Sequence, residues 1–299
     1  MSRAQAALLA DGRRLHLHDG PIDLIISADG EADDVAGAYR AAERRFAGVL
    51  DELCAELPLL RRETEAEPKG AVARRMWAAT RPFAAEGFIT PMAAVAGAVA
   101  EEVLAAMCHA APLNRAFVNN GGDIAMHLAP GNCYDIGLVS RPDQPGLFAT
   151  AQLRAGDPVR GIATSGWRGR SFSLGIADAV TVLAARASVA DAAATLIANA
   201  VDLPGHPAVT RVPARAIQPD NDLGARLVTR SVGPLRPNEI AAALAAGVAF
   251  AERLAAAGHI VAAALHLAGD TRMVGQAVGR IDAGRQGEEV SRRGGGNPS

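Results

Sequence analysis

Lysine is nearly missing from this chain. Of 299 residues only Lys69 is a lysine, and the positive charge rests on arginine. Thirty basic residues face thirty-two acidic ones, for a net charge of −2 and a pI near 6.4. That balance leaves no electrostatic footprint for nucleic acid or an anionic membrane. Cysteine is equally sparse: Cys54, Cys108 and Cys133 are widely spaced and form no C-x-x-C pair. Neither a disulfide framework nor a cysteine zinc site is supported, and reduced thiols in a cytoplasmic protein are expected. The first eleven residues hold no apolar core followed by a cleavage site or a lipid-accepting cysteine, so no export is expected. No apolar run of 18 residues free of polar breaks argues for a membrane span. No internal repeat stands out.

What is present is apolar and small. Hydrophobic residues make up 49% of the chain and glycine contributes 31 positions. A chain of this length can bury a large core, as one large domain or as two intimate halves. Residues 14–18 alternate as Arg-Leu-His-Leu-His, and an apolar run over 22–28 follows Asp19-Gly20, which predicts a β-hairpin. Residues 33–57 carry helical spacing and are expected to stop at Pro58, with a charged surface loop over 61–70. A small-residue helix is predicted over 91–107. Short β-like runs follow at 116–118, 123–128, 134–139, 148–153 and 180–184, then a helix over 188–201. A last module reads strand (225–230), helix (237–256) and strand (260–267), with Pro237 and Gly258 as its helix punctuation. Strands in hairpin-like succession outnumber long helices, so the fold class is α+β with an antiparallel sheet, over residues 1–283. The polar, Gly-rich residues 284–299 read as a disordered tail.

Three segments carry the chemistry. Asn119-Asn120-Gly121-Gly122-Asp123 sits between two β runs. Asn-Gly is a favoured hairpin turn, but paired glycines also let backbone N–H groups approach a phosphate or a ring, with Asp123 as polar anchor. Ala163-Thr164-Ser165-Gly166 offers hydroxyls beside a glycine, either a self-stabilised turn or donors for phosphate or ribose. A serine nucleophile is rejected, because Gly-x-Ser-x-Gly is absent and no Asp–His pair accompanies it. Asp191 and Thr195 lie four apart, on one face of a helix, as hard oxygens suited to Mg²⁺. The alternative is a capping box running from Ser188 to Asp191.

In order and spacing these segments resemble the ApbE family, flavin transferases first described as thiamine-biosynthesis lipoproteins. The closest resemblance is to its cytoplasmic branch, uncharacterised protein family 0280. The resemblance covers residues 90–201. It implies a dinucleotide pocket built from Asn119, Gly121, Gly122, Asp123, Thr164, Ser165 and Gly166. It implies Mg²⁺ ligands at Asp191 and Thr195, with Ala93 as a main-chain donor. FAD would be the ligand, and FMN transfer from FAD the reaction.

The sequence departs from the family at three places. Ala94-Val95 replaces a Lys-Gly, removing a charge. The segment between residues 166 and 191 is shortened. In the family's His-x-x-Asp-Pro stretch, Asp178 stands for the aspartate as the catalytic candidate, but Gly175 holds the histidine's place. Loss of a general acid/base costs roughly 10²–10⁴-fold in rate. A non-catalytic flavin- or cofactor-binding module is therefore the second reading. A different reaction in cofactor metabolism, on a pterin or another nucleotide, is the third. The expected partner is a small nucleotide, with homo-oligomerisation left open.

Overall fold

The structure is a computed structural model and describes residues 4–139, 147–275 and 282–283. The expected tail over 284–299 lies outside the described residues. Near the N-terminus, β1 (Gln5–Leu8), β2 (Leu15–Asp19) and β3 (Ile22–Asp29) form an antiparallel meander. Strict alternation sorts its side chains: Leu15, Leu17, Ile22, Leu24 and Ile26 point into the core, while His16, His18 and Asp23 face out. Gly20 makes the β2–β3 turn at φ 58°, a conformation glycine adopts without strain.

Four helices follow: α1 (Ala32–Phe46), α2 (Val49–Leu60), α3 (Ala71–Thr80) and α4 (Val95–Ala110). The single helix expected over 33–57 is therefore two, broken at Ala47-Gly48. Pro58 does not stop the second; it lies inside α2. As the tenth of twelve residues it removes one hydrogen bond near the helix end, where little helix remains to be broken. The α3 helix was not anticipated. Pro91–Ala94 forms a 3₁₀ turn leading into α4. Together, Pro91–Ala110 is long and apolar enough to cross a membrane, with mean hydropathy 1.5, yet half of it is buried. It packs among α1, α3, α5 (Ala187–Ala200) and the sheet, and serves as the central core helix.

The remaining strands are β4 (Arg115–Asn120), β5 (Asp123–Leu128), β6 (Cys133–Val139), β7 (Leu147–Arg154), β8 (Gly161–Ser165) and β9 (Ala179–Ala184). After α5 come β10 (Val209–Pro213), α6 (Ala214–Ile217), β11 (Leu227–Val232), α7 (Pro237–Ala256), β12 (Ala262–Leu267), β13 (Asp270–Gly275) and β14 (Asp282–Ala283). Nine strands join in one antiparallel sheet in the order β1-β2-β3-β4-β5-β8-β9-β12-β13. The α+β class with an antiparallel sheet packed by helices is the observed one. The helices bury one face in a core that runs in sequence from Leu15 to Val274. The β6–β7 hairpin covers part of the other face, where Leu153 packs with Met126 and Ile162, and Tyr134 meets Phe117 edge-on at 6.0 Å.

Two glycines set how closely the central layers approach. A side chain at Gly97 of α4 would collide with the Ala187 carbonyl and lie 2.7 Å from the Ser188 nitrogen. One at Gly161 of β8 would strike the Ala187 backbone. The start of α5 is thus wedged in close backbone contact between α4 and β8.

Candidate functional site

The β4–β5 hairpin closes through Gly121 and Gly122, both at positive φ (66° and 113°), as the primed hairpin turns require. Asn120 and Asp123 form the last strand pair, so the two glycines make the turn and not Asn120-Gly121. Asn119 stabilises the turn itself: its Oδ1 accepts the Gly122 N–H at 2.8 Å. Asn120 is buried and donates to the Ala96 carbonyl at the start of α4 (3.2 Å). The Asp123 Oδ1 accepts the Thr164 N–H at 3.1 Å, which ties this turn to β8.

Thr164 and Ser165 are the final residues of β8, a strand end and not the turn expected from sequence. Thr164 pairs with Thr181 of β9, their hydroxyls 2.9 Å apart. Gly166 follows at φ 159°, where a Cβ would lie 2.5 Å from the Asp178 carbonyl oxygen. The chain then loops over residues 167–178. Asp178 fastens that loop: its Oδ1 accepts from Arg168 Nε (2.6 Å) and Trp167 Nε1 (3.2 Å), and its Oδ2 accepts the Ala268 N–H (2.7 Å). With both oxygens engaged, Asp178 is placed to position the loop.

Asp191 does not cap its own helix. Arg186 occupies the N-cap of α5, and Asp191 Oδ2 instead accepts the Gly97 N–H of α4 at 3.0 Å. It therefore caps a neighbouring helix, satisfying a donor that α4 leaves free. Burial pushes its carboxyl well above the usual carboxylate range, and the nearby Asp123 adds to the shift. Asp123 is pushed up to about 7, again chiefly by burial.

These segments meet at one cavity of 860 Å³, within the range of cofactor sites. Asn119, Gly121, Gly122, Asp123, Thr164, Ser165, Gly166, Asp178, Asp191 and Thr195 all line it. Ala93 does not. It lines an adjoining hollow of 390 Å³ that shares Ala96, Asp123, Asp191 and Thr195 with the first. Sequence reading missed Ala96, Thr181 and the β6 residues Asp135, Ile136 and Gly137, which also line the larger cavity. Thr181 left a signal, as the one polar residue in the apolar run Ala-Val-Thr-Val-Leu-Ala.

The site's donor chemistry suits a hard cation. Burial raises the proton affinity of both Asp123 and Asp191, and Asp123 raises that of Asp191 further; a divalent ion would relieve them, and Thr195 adds a hydroxyl on the helix face of Asp191. No cluster of three or more His, Cys, Asp or Glu side chains suited to a metal occurs among the described residues. An ion here would complete its shell from main-chain, water and ligand oxygens.

A pH dependence follows. Asp123 stays protonated in the fold up to about pH 7, whereas an unfolded aspartate ionises near about 4. The metal-free protein is therefore expected to lose stability as pH rises from about 4 to about 7. Asp123→Asn keeps the acceptor for Thr164 but not the charge, so its melting temperature should change less between pH 5 and pH 8. Parallel pH profiles for variant and wild type would assign the effect elsewhere.

Gly175, in the place of the family histidine, has a structural reason to be glycine. A Cβ there would collide with the Ala198 carbonyl and lie 2.8 Å from the Val201 oxygen and 2.9 Å from the Asn199 Cα. No side chain fits against this end of α5.

Comparison with known proteins places these features in context. Over residues 6–273 the chain matches the family described as AbpE bacteria. It is 37% identical over 188 residues to a UPF0280 protein of Methanopyrus kandleri, across 59% of this chain and 69% of that one. It is 38% identical over 130 residues to a UPF0280 protein of Methanococcoides burtonii, across 40% and 49% of the two. The match thus spans over two thirds of the first relative and about half of the second. Among solved structures, the apo form of Pseudomonas stutzeri flavinyl transferase ApbE aligns over 91% of this chain and 94% of its own, at 15% identity and TM-score 0.43. Flavin transferase ApbE from Vibrio cholerae aligns over 91% and 97%, at 14% identity and TM-score 0.39.

Proposed function

The chain belongs to the AbpE family and, within it, to the UPF0280 proteins, and on that premise we propose that its cavity binds FAD or another nucleotide together with Mg²⁺. The observation that carries this reading is convergence: three segments spread over residues 119–195 line one cavity of cofactor size. In this reading the backbone at Gly121, Gly122 and Gly166 approaches the ligand closely, while Asn119, Asp123, Thr164 and Ser165 supply polar contacts. Asp191 and Thr195 hold the ion, with a main-chain oxygen from the segment that begins α4. Ala93 is the donor implied by the family resemblance, and it faces the adjoining hollow. Bound there, Mg²⁺ would neutralise phosphate charge. Asp178 holds the loop that roofs the cavity.

The enzymatic form of this proposal is FMN transfer from FAD, and the packing at Gly175 argues for the binding form. No imidazole can sit at that position to move a proton. Purified protein is expected to bind FAD more tightly with Mg²⁺ than without it, read by quenching of flavin fluorescence. It should label a flavin-acceptor domain slowly or not at all when the mixture is scanned for in-gel fluorescence. Rapid covalent labelling would show that another group replaces the histidine. Absence of FAD binding would sink the flavin reading, and mass spectrometry of small molecules released from the protein would then identify the nucleotide.

A further inference from the structure

The larger cavity and its adjoining hollow meet where Asp123, Asp191 and Thr195 face Arg170. At this waist the charges are unequal. Of the arginines that line either space, Arg168 is consumed by Asp178 and Arg61 by Asp220. Arg170 has no ion-pair partner within 4 Å among the described residues, although it acts on Asp123 through space. The tip of its guanidinium, Nη2, reaches the β4–β5 turn in the space a Cβ on Gly121 would fill. That glycine is what lets the arginine reach the cavity.

The loop that carries Arg170 is pinned on both sides. Before it, the Trp167 N–H donates to the Ala177 carbonyl (3.0 Å) and the Gly169 N–H to the Gly166 carbonyl (3.1 Å). After it, the Leu174 N–H donates to Asn199 Oδ1 at 2.9 Å. Arg170 is thus held at the crest of a fastened loop, opposite two carboxylates.

Resting on the nucleotide reading above, we propose that Arg170 is the phosphate-binding residue of this site, gripping the ligand's phosphate at the waist between the two hollows. Carboxylates ionised around a bound metal ion repel an anionic ligand unless further cations face it. A divalent ion on the carboxylate side and a guanidinium on the other would clamp a phosphate between them. Arginine suits that task because its planar fork offers paired donors to phosphate oxygens. The ligand class that follows is a phosphorylated nucleotide, with the phosphate at the waist and a dinucleotide's two halves in the two spaces.

The test uses the full chain in excess Mg²⁺, as wild type, Arg170→Ala and Arg170→Lys, titrated with FAD, FMN and riboflavin. Arg170→Ala is expected to weaken FAD and FMN by roughly 10- to 100-fold, the scale of a lost charge-assisted contact. Riboflavin, which has no phosphate, should bind unchanged, and Arg170→Lys should recover part of the loss. Equal losses for all three ligands would make Arg170 a packing residue and overturn the proposal, as would no loss for any. Thermal melts of the three proteins separate unfolding from lost binding. If wild type binds none of the flavins, the flavin reading fails by itself. Inorganic pyrophosphate with Mg²⁺ then becomes the probe: binding lost in Arg170→Ala supports the phosphate role, while equal or absent binding ends it.

Discussion

Replacing Asp191 with alanine is expected to abolish the magnesium-dependent part of nucleotide affinity while costing the fold only about 1–2 kcal/mol, the usual loss for a removed helix cap. The two effects have separate origins in one carboxylate. One oxygen accepts the Gly97 N–H of α4, and in the proposed role the charge serves the cation. Asp191→Asn divides them. The amide oxygen still accepts from Gly97, so stability should hold, but the charge that recruits Mg²⁺ is gone. Titrations of FAD with and without Mg²⁺, paired with thermal melts, read both properties. An Asn variant with a full magnesium response would reduce Asp191 to a cap.

Restoring the family histidine by Gly175→His is expected to fail. The Cβ alone collides with the Ala198 carbonyl, and an imidazole must also displace the end of α5. Overpacking of a well-fitted interior typically costs about 1–3 kcal/mol, and a backbone collision lies at or beyond the upper end. The variant should melt at least several degrees lower or fail to accumulate as soluble protein, with no gain in flavin transfer. Gly175→Ala gives the same information with less damage, and a wild-type melting temperature there would show that the α5 end yields easily. A stable Gly175→His protein that labels an acceptor would overturn the account of why this position is glycine.

Much of the fold was legible because its signals are local. The alternation of residues 15–19, the Asp19-Gly20 turn, and Pro237 with Gly258 around α7 each act within a few residues. What was not legible depended on distant partners. Nothing near Gly48 announces that α1 ends before it, and Pro58 reads as a terminator until its place two residues from the end of α2 is seen. Thr164-Ser165 resembles a turn by composition, yet pairing with Thr181 and Val180 makes it a strand. The site shows the same division. Its residues could be nominated by family resemblance, but the partner of Asp191 lies 94 residues away in α4, beyond any spacing rule. The wall formed by Asp135 and Gly137 depends on how the β6–β7 hairpin folds back.

The strand order carries a consequence for how this protein is made. From β1 to β13 the nine strands lie side by side in the order in which the ribosome releases them, with the β6–β7 and β10–β11 hairpins set aside. Each new strand can dock on the edge left by the one before it, and no later strand must insert between two that have already paired. Loop closure is cheap at the hairpin steps, and costs more where β4 returns to β3 and β12 to β9 across intervening helices. By the time residue 200 has emerged, β4, β5, β8, β9 and α5 are all available, and so is every residue proposed to hold the nucleotide and its ion. The last third of the chain then extends a sheet on which every residue lining the larger cavity has already been made, and it adds Gln218 and residues 220–223, which close the adjoining hollow.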